Sequence, residues 1–193
     1  MLNALQLDLE EKITAKSLAI LLTERAPEAS AEDIKELAAL LVPFLRSIPQ
    51  ALSVAIRMSK KQECGRTVAF ATGQVLTYLL DDNDLLPEED FGIVGLLDDA
   101  YLAHIFAKTL ARIYPQANTS RAGYRPPDRS TFSVVRSLLP AGVADALERT
   151  SENLLHVASS LFGSAKGIEG TTLQPAPVLR VSEALQAMRT ARV

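Results

Sequence analysis

Carboxylates are the residues of this chain best placed to do chemistry. Residues 81–90 read DDNDLLPEED, with six carboxylates in ten positions, and Asp98 and Asp99 stand side by side in the most apolar region of the 193-residue sequence. Acidic groups at this density hold divalent cations or, where burial perturbs one of them, move protons. An EF-hand needs oxygen ligands at positions 1, 3 and 5, Gly at 6 and Glu at 12. Counting from Asp81 puts Leu85, Leu86 and Gly92 at positions 5, 6 and 12, and counting from Asp82 puts Leu86, Pro87 and Ile93 there. Both registers fail. Asp84, Glu88, Glu89 and Asp90 read better as residues at a helix start, where carboxylates cap free N–H groups and offset the dipole. The sequence leaves one acidic constellation, Asp84, Asp98 and Asp99, with Tyr78, Glu88 and Tyr101 as supporting residues. Its chemistry would be cation binding or proton transfer, and no residue is assigned a catalytic role.

Other chemistry is sparse. His104 and His156 are far apart and form no metal-ligand pair, and a lone cysteine, Cys64, cannot build a structural zinc site or a disulfide framework. Gly92 and Gly95 give only G-x-x-G, without the lysine of a phosphate loop. The RMSKK stretch at 57–61 and Arg121, Arg125 and Arg129, with Tyr124 among them, could touch phosphate or RNA. A net charge of −3 argues against a dedicated nucleic-acid binder. That charge is uneven: residues 1–99 hold 9 Lys/Arg against 17 Asp/Glu, residues 100–193 hold 11 against 6. The two halves are expected to complement each other on packing, or else to present an acidic and a basic pole to a charged partner.

The elements that position these residues are helices. Apolar residues recur at intervals of three and four, and no alternating run suggests a strand. The first helix is expected to start at Asp8, capped there with Glu11 three residues on, and to end near Arg25. Ser30 caps a second, bearing Ile34, Leu37, Leu41, Leu45 and Ile48, with a kink or break at Pro43. Pro49 opens a third at a tolerated first-turn position. A fourth spans about 66–80 and a fifth about 91–114, with a surface loop over 115–129. Helices over 132–139 and 141–162 follow, the last closed by Gly163. On a helix over 91–114, Asp99 shares the face of Leu102, Ala103, Phe106, Leu110 and Ile113, and Asp98 that of Tyr101, Leu102 and Ile105. Neither aspartate falls on a polar face. A buried carboxylate must be capped, paired or hydrogen-bonded. The available partners are Tyr78, Arg66, Tyr101 and N–H groups of the turn 84–87.

The run Tyr78 … Asp84-Leu-Leu-Pro87-Glu88 … Phe91-Gly92-Ile93-Val94-Gly95-Leu-Leu97-Asp98-Asp99 resembles the YkvA-like domain of unknown function, a small helical domain of many bacterial proteins. It is similar also to the tail region of a membrane-bound RING-type ubiquitin ligase. The resemblance covers about residues 64–114. The usual S-P-x-D-x-I-P is replaced by DDNDLLP, which lacks the serine-proline and keeps Asp84 and Pro87. It implies a helical hairpin with the acidic turn at its tip and places Asp84, Asp98 and Asp99 in one constellation. It implies no particular activity.

The reading is therefore an all-α, single-domain bundle of about seven to eight helices over residues 1–163, a flexible linker over 164–178 and a C-terminal amphipathic helix over 179–193, with Val181, Leu185 and Met188 on one face. The expected function is that of a bacterial, cytoplasmic, non-enzymatic adaptor or accessory subunit with a protein partner or a second copy of itself. Its alternatives are a metal-dependent activity at Asp84, Asp98 and Asp99 and, more weakly, nucleic-acid binding through the 121–129 loop. No cofactor beyond that divalent cation is expected. Nor is a signal peptide or a transmembrane segment, the nearest candidate span, 91–114, being interrupted by Asp98, Asp99, His104, Lys108 and Arg112.

Overall fold

The three-and-four spacing of apolar residues folds as helices throughout. The computed structural model describes residues 2–61, 64–80, 86, 92–115 and 124–162. They form α1 (Leu2–Lys12), α2 (Ala15–Arg25), α3 (Ala31–Arg46), α4 (Ile48–Met58), α5 (Gly65–Tyr78), a 3-10 turn (Gly92–Gly95), α6 (Leu96–Ile113), α7 (Arg129–Leu138) and α8 (Val143–Phe162). No strand occurs among the described residues, so the fold is all-α. Asp84, Glu88, Gly163, the linker 164–178 and the helix expected over 179–193 lie outside the described residues.

α6 is the axis of the bundle. It is buried along nearly its whole length and packs against α4, α8, α3 and α7, while α5 lies across α4 and α8. Ala100, Ala103 and Ala107 let neighbouring helices come close, and Leu97, Leu102, Phe106 and Leu110 fill the space between them. At the corner that feeds α5, a Cβ on Gly65 would lie 2.6 Å from the Ser59 carbonyl oxygen, so only glycine fits. Gly92 opens the turn into α6 at φ +59°, a conformation that favours glycine.

The N-terminal region departs from the sequence reading. Helix begins at Leu2, not at Asp8, and what reads as one helix is two. Asp8 sits within α1, paired with Lys12 at 2.9 Å. The break comes where Ile13 drops into the core and Thr14 turns extended, at φ −118° and ψ 156°. There Thr14 Oγ1 accepts from the Ser17 N–H and Ser17 Oγ accepts from the Thr14 N–H, both at 3.0 Å, a closed capping box. Thr14→Ala is expected to cost about 1 kcal/mol in urea denaturation, and an unchanged midpoint would show the cap to be idle. Arg46 closes the other side of the break, donating to the carbonyls of Ile13 (2.9 Å) and Glu10 (2.7 Å) at the end of α1.

Ser30 caps α3 as the sequence indicates, accepting from the Asp33 N–H at 3.2 Å. Pro43 does not end α3, which continues to Arg46; the break falls at Ser47, and Pro49 stands in the first turn of α4. By length and composition, Ala31–Met58 is the described stretch apolar enough to cross a membrane, with a best-window mean hydropathy of 1.6, rather than 91–114. Half of that window is buried inside the bundle against α1, α2, α5 and α6. α7 starts three residues before the expected 132. Asp128 caps it, accepting from the Thr131 N–H and Ser130 Oγ, each at 2.7 Å, and the Thr131 N–H first of all holds its carboxyl below the usual range.

Candidate functional site

α6 carries a polar side chain toward each of its neighbours, and this distribution organises the molecule's chemistry. Asp98 is 0% exposed, and Tyr78 at the end of α5 donates its O–H to Asp98 Oδ2 at 2.6 Å. Asp99, 6% exposed, lies about 100° further round the helix and lines a separate cavity with leucines of α1, α4, α5 and α6. The two adjacent carboxylates thus serve different surroundings. Among the described residues no group of three or more His, Cys, Asp or Glu side chains is placed to hold a metal ion.

Of the expected supporting residues, Tyr78 is where the sequence put it. Tyr101 is not. Its ring crosses that of Phe132 edge-on at 6.0 Å, and its O–H donates to Glu148 Oε1 on α8 at 2.6 Å. A phenol is long enough to reach past its own helix to the carboxylate opposite. Burial, and next that bond, push its pKa well above the usual tyrosine value. Arg66, the other side chain considered for the aspartates, is exposed on α5.

His104 anchors a network that the sequence reading missed. It is 0% exposed. The Phe44 carbonyl, 3.0 Å from Nε2, can only accept, which places the imidazole proton on Nε2; Ser47 Oγ lies 3.1 Å from the same atom. Nδ1 is then left to accept from the Tyr124 O–H at 2.9 Å, the two rings stacking at 18°. Burial lowers the His104 pKa to about 4, against a smaller upward pull from the Phe44 carbonyl. Tyr124 is therefore not a surface residue of a phosphate-contacting loop: it is 3% exposed, and burial raises its pKa. Arg125 and Arg129 are exposed, and Arg121 lies outside the described residues. At the far end of α6, Ser151 Oγ donates to Thr109 Oγ1 at 3.2 Å.

Charged side chains line a cleft of about 410 Å³ between α6, α7 and α8. Tyr101, Ile105 and Phe132 form its apolar floor, and Lys108, Arg112, Arg129 and Arg136 are its cations. Arg136 bonds Glu148 and Asp145, and Arg112 bonds Glu152 at 2.6 Å. These pairs occupy both carboxylates of the lining. Lys108 stands 5.1 Å above the Phe132 ring centroid. Neither Lys108 nor Arg129 has a carboxylate partner among the described residues. The one signal in the sequence was the basic excess of residues 100–193; nothing in the spacing brings 108, 129 and 136 together. Comparison of the chain with protein-family models, with curated proteins and with solved structures returned no match.

Proposed function

We propose that this chain is a non-enzymatic interaction protein, an adaptor or accessory subunit, which receives an acidic segment of a protein partner in the cleft between α6, α7 and α8. One observation carries the reading: the cleft holds four cations over an aromatic floor, and two of them, Lys108 and Arg129, are not offset by a carboxylate among the described residues. A surplus of this kind steers and orients an anionic partner, and Phe132 and Tyr101 offer apolar area at its centre. The overall negative charge of the chain favours a protein partner over nucleic acid, whose dense phosphates would meet 17 Asp/Glu in residues 1–99. The resemblance of residues 64–114 to the YkvA-like domain is compatible with this reading and names no reaction that competes with it.

The test is affinity purification of the tagged chain, wild type against Lys108→Glu/Arg129→Glu, with mass spectrometry of what is retained. A protein partner held by wild type is expected to be lost by about tenfold or more in the double variant, which amounts to 1.4 kcal/mol or more. Its retention should also fall as salt rises and survive nuclease treatment. Equal capture by both proteins, or retention that nuclease abolishes, overturns the proposal. So does a cofactor or turnover in the purified chain. A melting temperature raised by millimolar Mg²⁺, Mn²⁺ or Ca²⁺ would return the paired aspartates to a cation.

A further inference from the structure

Leucines gather around a second cavity, of about 160 Å³, between α1, α4 and α5. Leu2 and Leu5 of α1, Leu52 of α4, Leu76 of α5, and Leu79 and Leu80 just past its end all line it. Leu2, Leu5, Leu76 and Leu79 are only half-buried, and Leu80 is 76% exposed. Leucines left open to water at one place mark a surface on which another apolar surface docks.

We infer that this cavity seats the chain's own residues 179–193, with Leu185 in the leucine-lined space and Val181 and Met188 against its mouth. That segment lies outside the described residues; its sequence and its tether point to this seat. Val181, Leu185 and Met188, spaced by four and three, fall on one face of a helix. An apolar cavity of about 150 Å³ admits a six-carbon molecule such as benzene, so this one has room for the isobutyl group of a leucine. Charge agrees. Residues 179–193 carry Arg180, Arg189 and Arg192 against Glu183, whereas α1 carries Asp8, Glu10 and Glu11 against Lys12. Opposite net charge favours the encounter, and the same arginines disfavour the cationic cleft between α6, α7 and α8. The tether agrees as well. α8 ends at Phe162, whose ring centroid lies 5.9 Å from that of Phe70 on α5, the helix that also carries Leu76. Phe70 and Leu76 are about 9 Å apart along the helix axis, and residues 163–178 can span up to about 50 Å. A tether this short holds the segment at an effective concentration in the millimolar range, which favours its own groove over that of a second copy.

Hydrogen exchange of the full chain, followed by mass spectrometry at pH 7, tests the inference. In wild type, residues 181–188 are expected to exchange at least tenfold more slowly than an isolated peptide of the same sequence. Leu80→Asp, at an exposed position of the groove whose change leaves the core intact, should return 181–188 to nearly the rate of the peptide. Leu185→Asp should do the same and speed exchange in α1 by about fivefold or more, with α6 unchanged. The protection should hold constant over a hundredfold range of protein concentration. Lys108→Glu/Arg129→Glu, which tests the cleft of the proposed function, should leave exchange at 181–188 as it is, so the two readings stand or fall separately. Peptide-like exchange of 181–188 in wild type, protection that Leu80→Asp leaves in place, or an α1 indifferent to Leu185→Asp overturns the inference. So does protection that grows with concentration, which would give the groove to the segment of a second copy.

Discussion

Between pH 7 and pH 4, the stability advantage of the wild-type chain over a His104→Gln variant is expected to shrink by about 3 kcal/mol. His104 is fully buried, its Nε2–H directed at the Phe44 carbonyl and its Nδ1 accepting from Tyr124. Protonation would place a charge among apolar rings and turn the Nδ1 acceptor into a second donor facing a hydroxyl. Burial is the first reason that the folded pKa falls to about 4; in the unfolded chain an imidazole titrates near 6.5. Above pH 6.5 both states are neutral at this residue and its contribution is complete. As pH drops from 6.5 toward 4 the unfolded chain takes up a proton that the folded chain refuses, and stability is lost. Below about 4 both bind it and the loss levels off. A depression of this size corresponds to about 3 kcal/mol. Glutamine keeps hydrogen-bonding capacity but does not titrate, so the shared carboxylate titrations cancel in the difference. Urea midpoints of the two proteins at pH 7, 5.5 and 4 measure the effect; a gap constant across the three would remove His104 from the acid response.

The same residue shows what the sequence could and could not convey. His104 is buried because α6 is enclosed on nearly every side, which a one-sided apolar stripe does not announce. Its partners were not legible either: Phe44 and Ser47 end α3, and Tyr124 comes from a stretch whose Arg, Pro and Gly content reads as surface. Contacts between residues so far apart in the chain leave no local pattern, and the loop reading gave way because stacking on His104 buries the Tyr124 ring. Local signals did better. Ser30 caps α3 and Pro49 opens α4, each within reach of a spacing argument, and Tyr78 reaches Asp98 as one of the partners that burial of the carboxylate called for. The start of α1 was lost to a competing local signal. Asp8 looks like a cap, and taking it as one leaves Leu2 and Leu5 outside any helix, which hides the wall of the cavity that Asp99 lines. The basic cleft was hidden for a different reason. Lys108 and Arg112 are exposed cations on a largely buried helix, and their meaning depends on α7 and α8 bringing Arg129, Arg136 and Phe132 to the same place.

Tyr78→Phe is expected to destabilise the chain by about 2 kcal/mol and Asp98→Ala by about 3 kcal/mol, with the double variant falling clearly short of their sum. Asp98 is the fully buried member of the acidic pair, and the 2.6 Å bond from Tyr78 is a hydroxyl donating to a carboxylate, the short and strong kind. Deleting the phenol oxygen alone leaves the carboxylate under-satisfied where water cannot replace the donor. Deleting the carboxylate alone leaves a half-buried hydroxyl that can turn toward solvent, but it also removes a negative charge from the first turn of α6, where the helix dipole favours one. Removing both leaves neither group stranded, and the two losses therefore overlap by about 1–2 kcal/mol. Four urea melts at pH 7, on wild type, the two single variants and the double, close the cycle. Asp99 provides the contrast: it shares the same turn but faces the leucine cavity, so Tyr78→Phe combined with Asp99→Asn should be additive within about 0.5 kcal/mol. Additivity in the Tyr78–Asp98 cycle would mean that the phenol does not hold the carboxylate. Asp98 would then be satisfied by something other than α5.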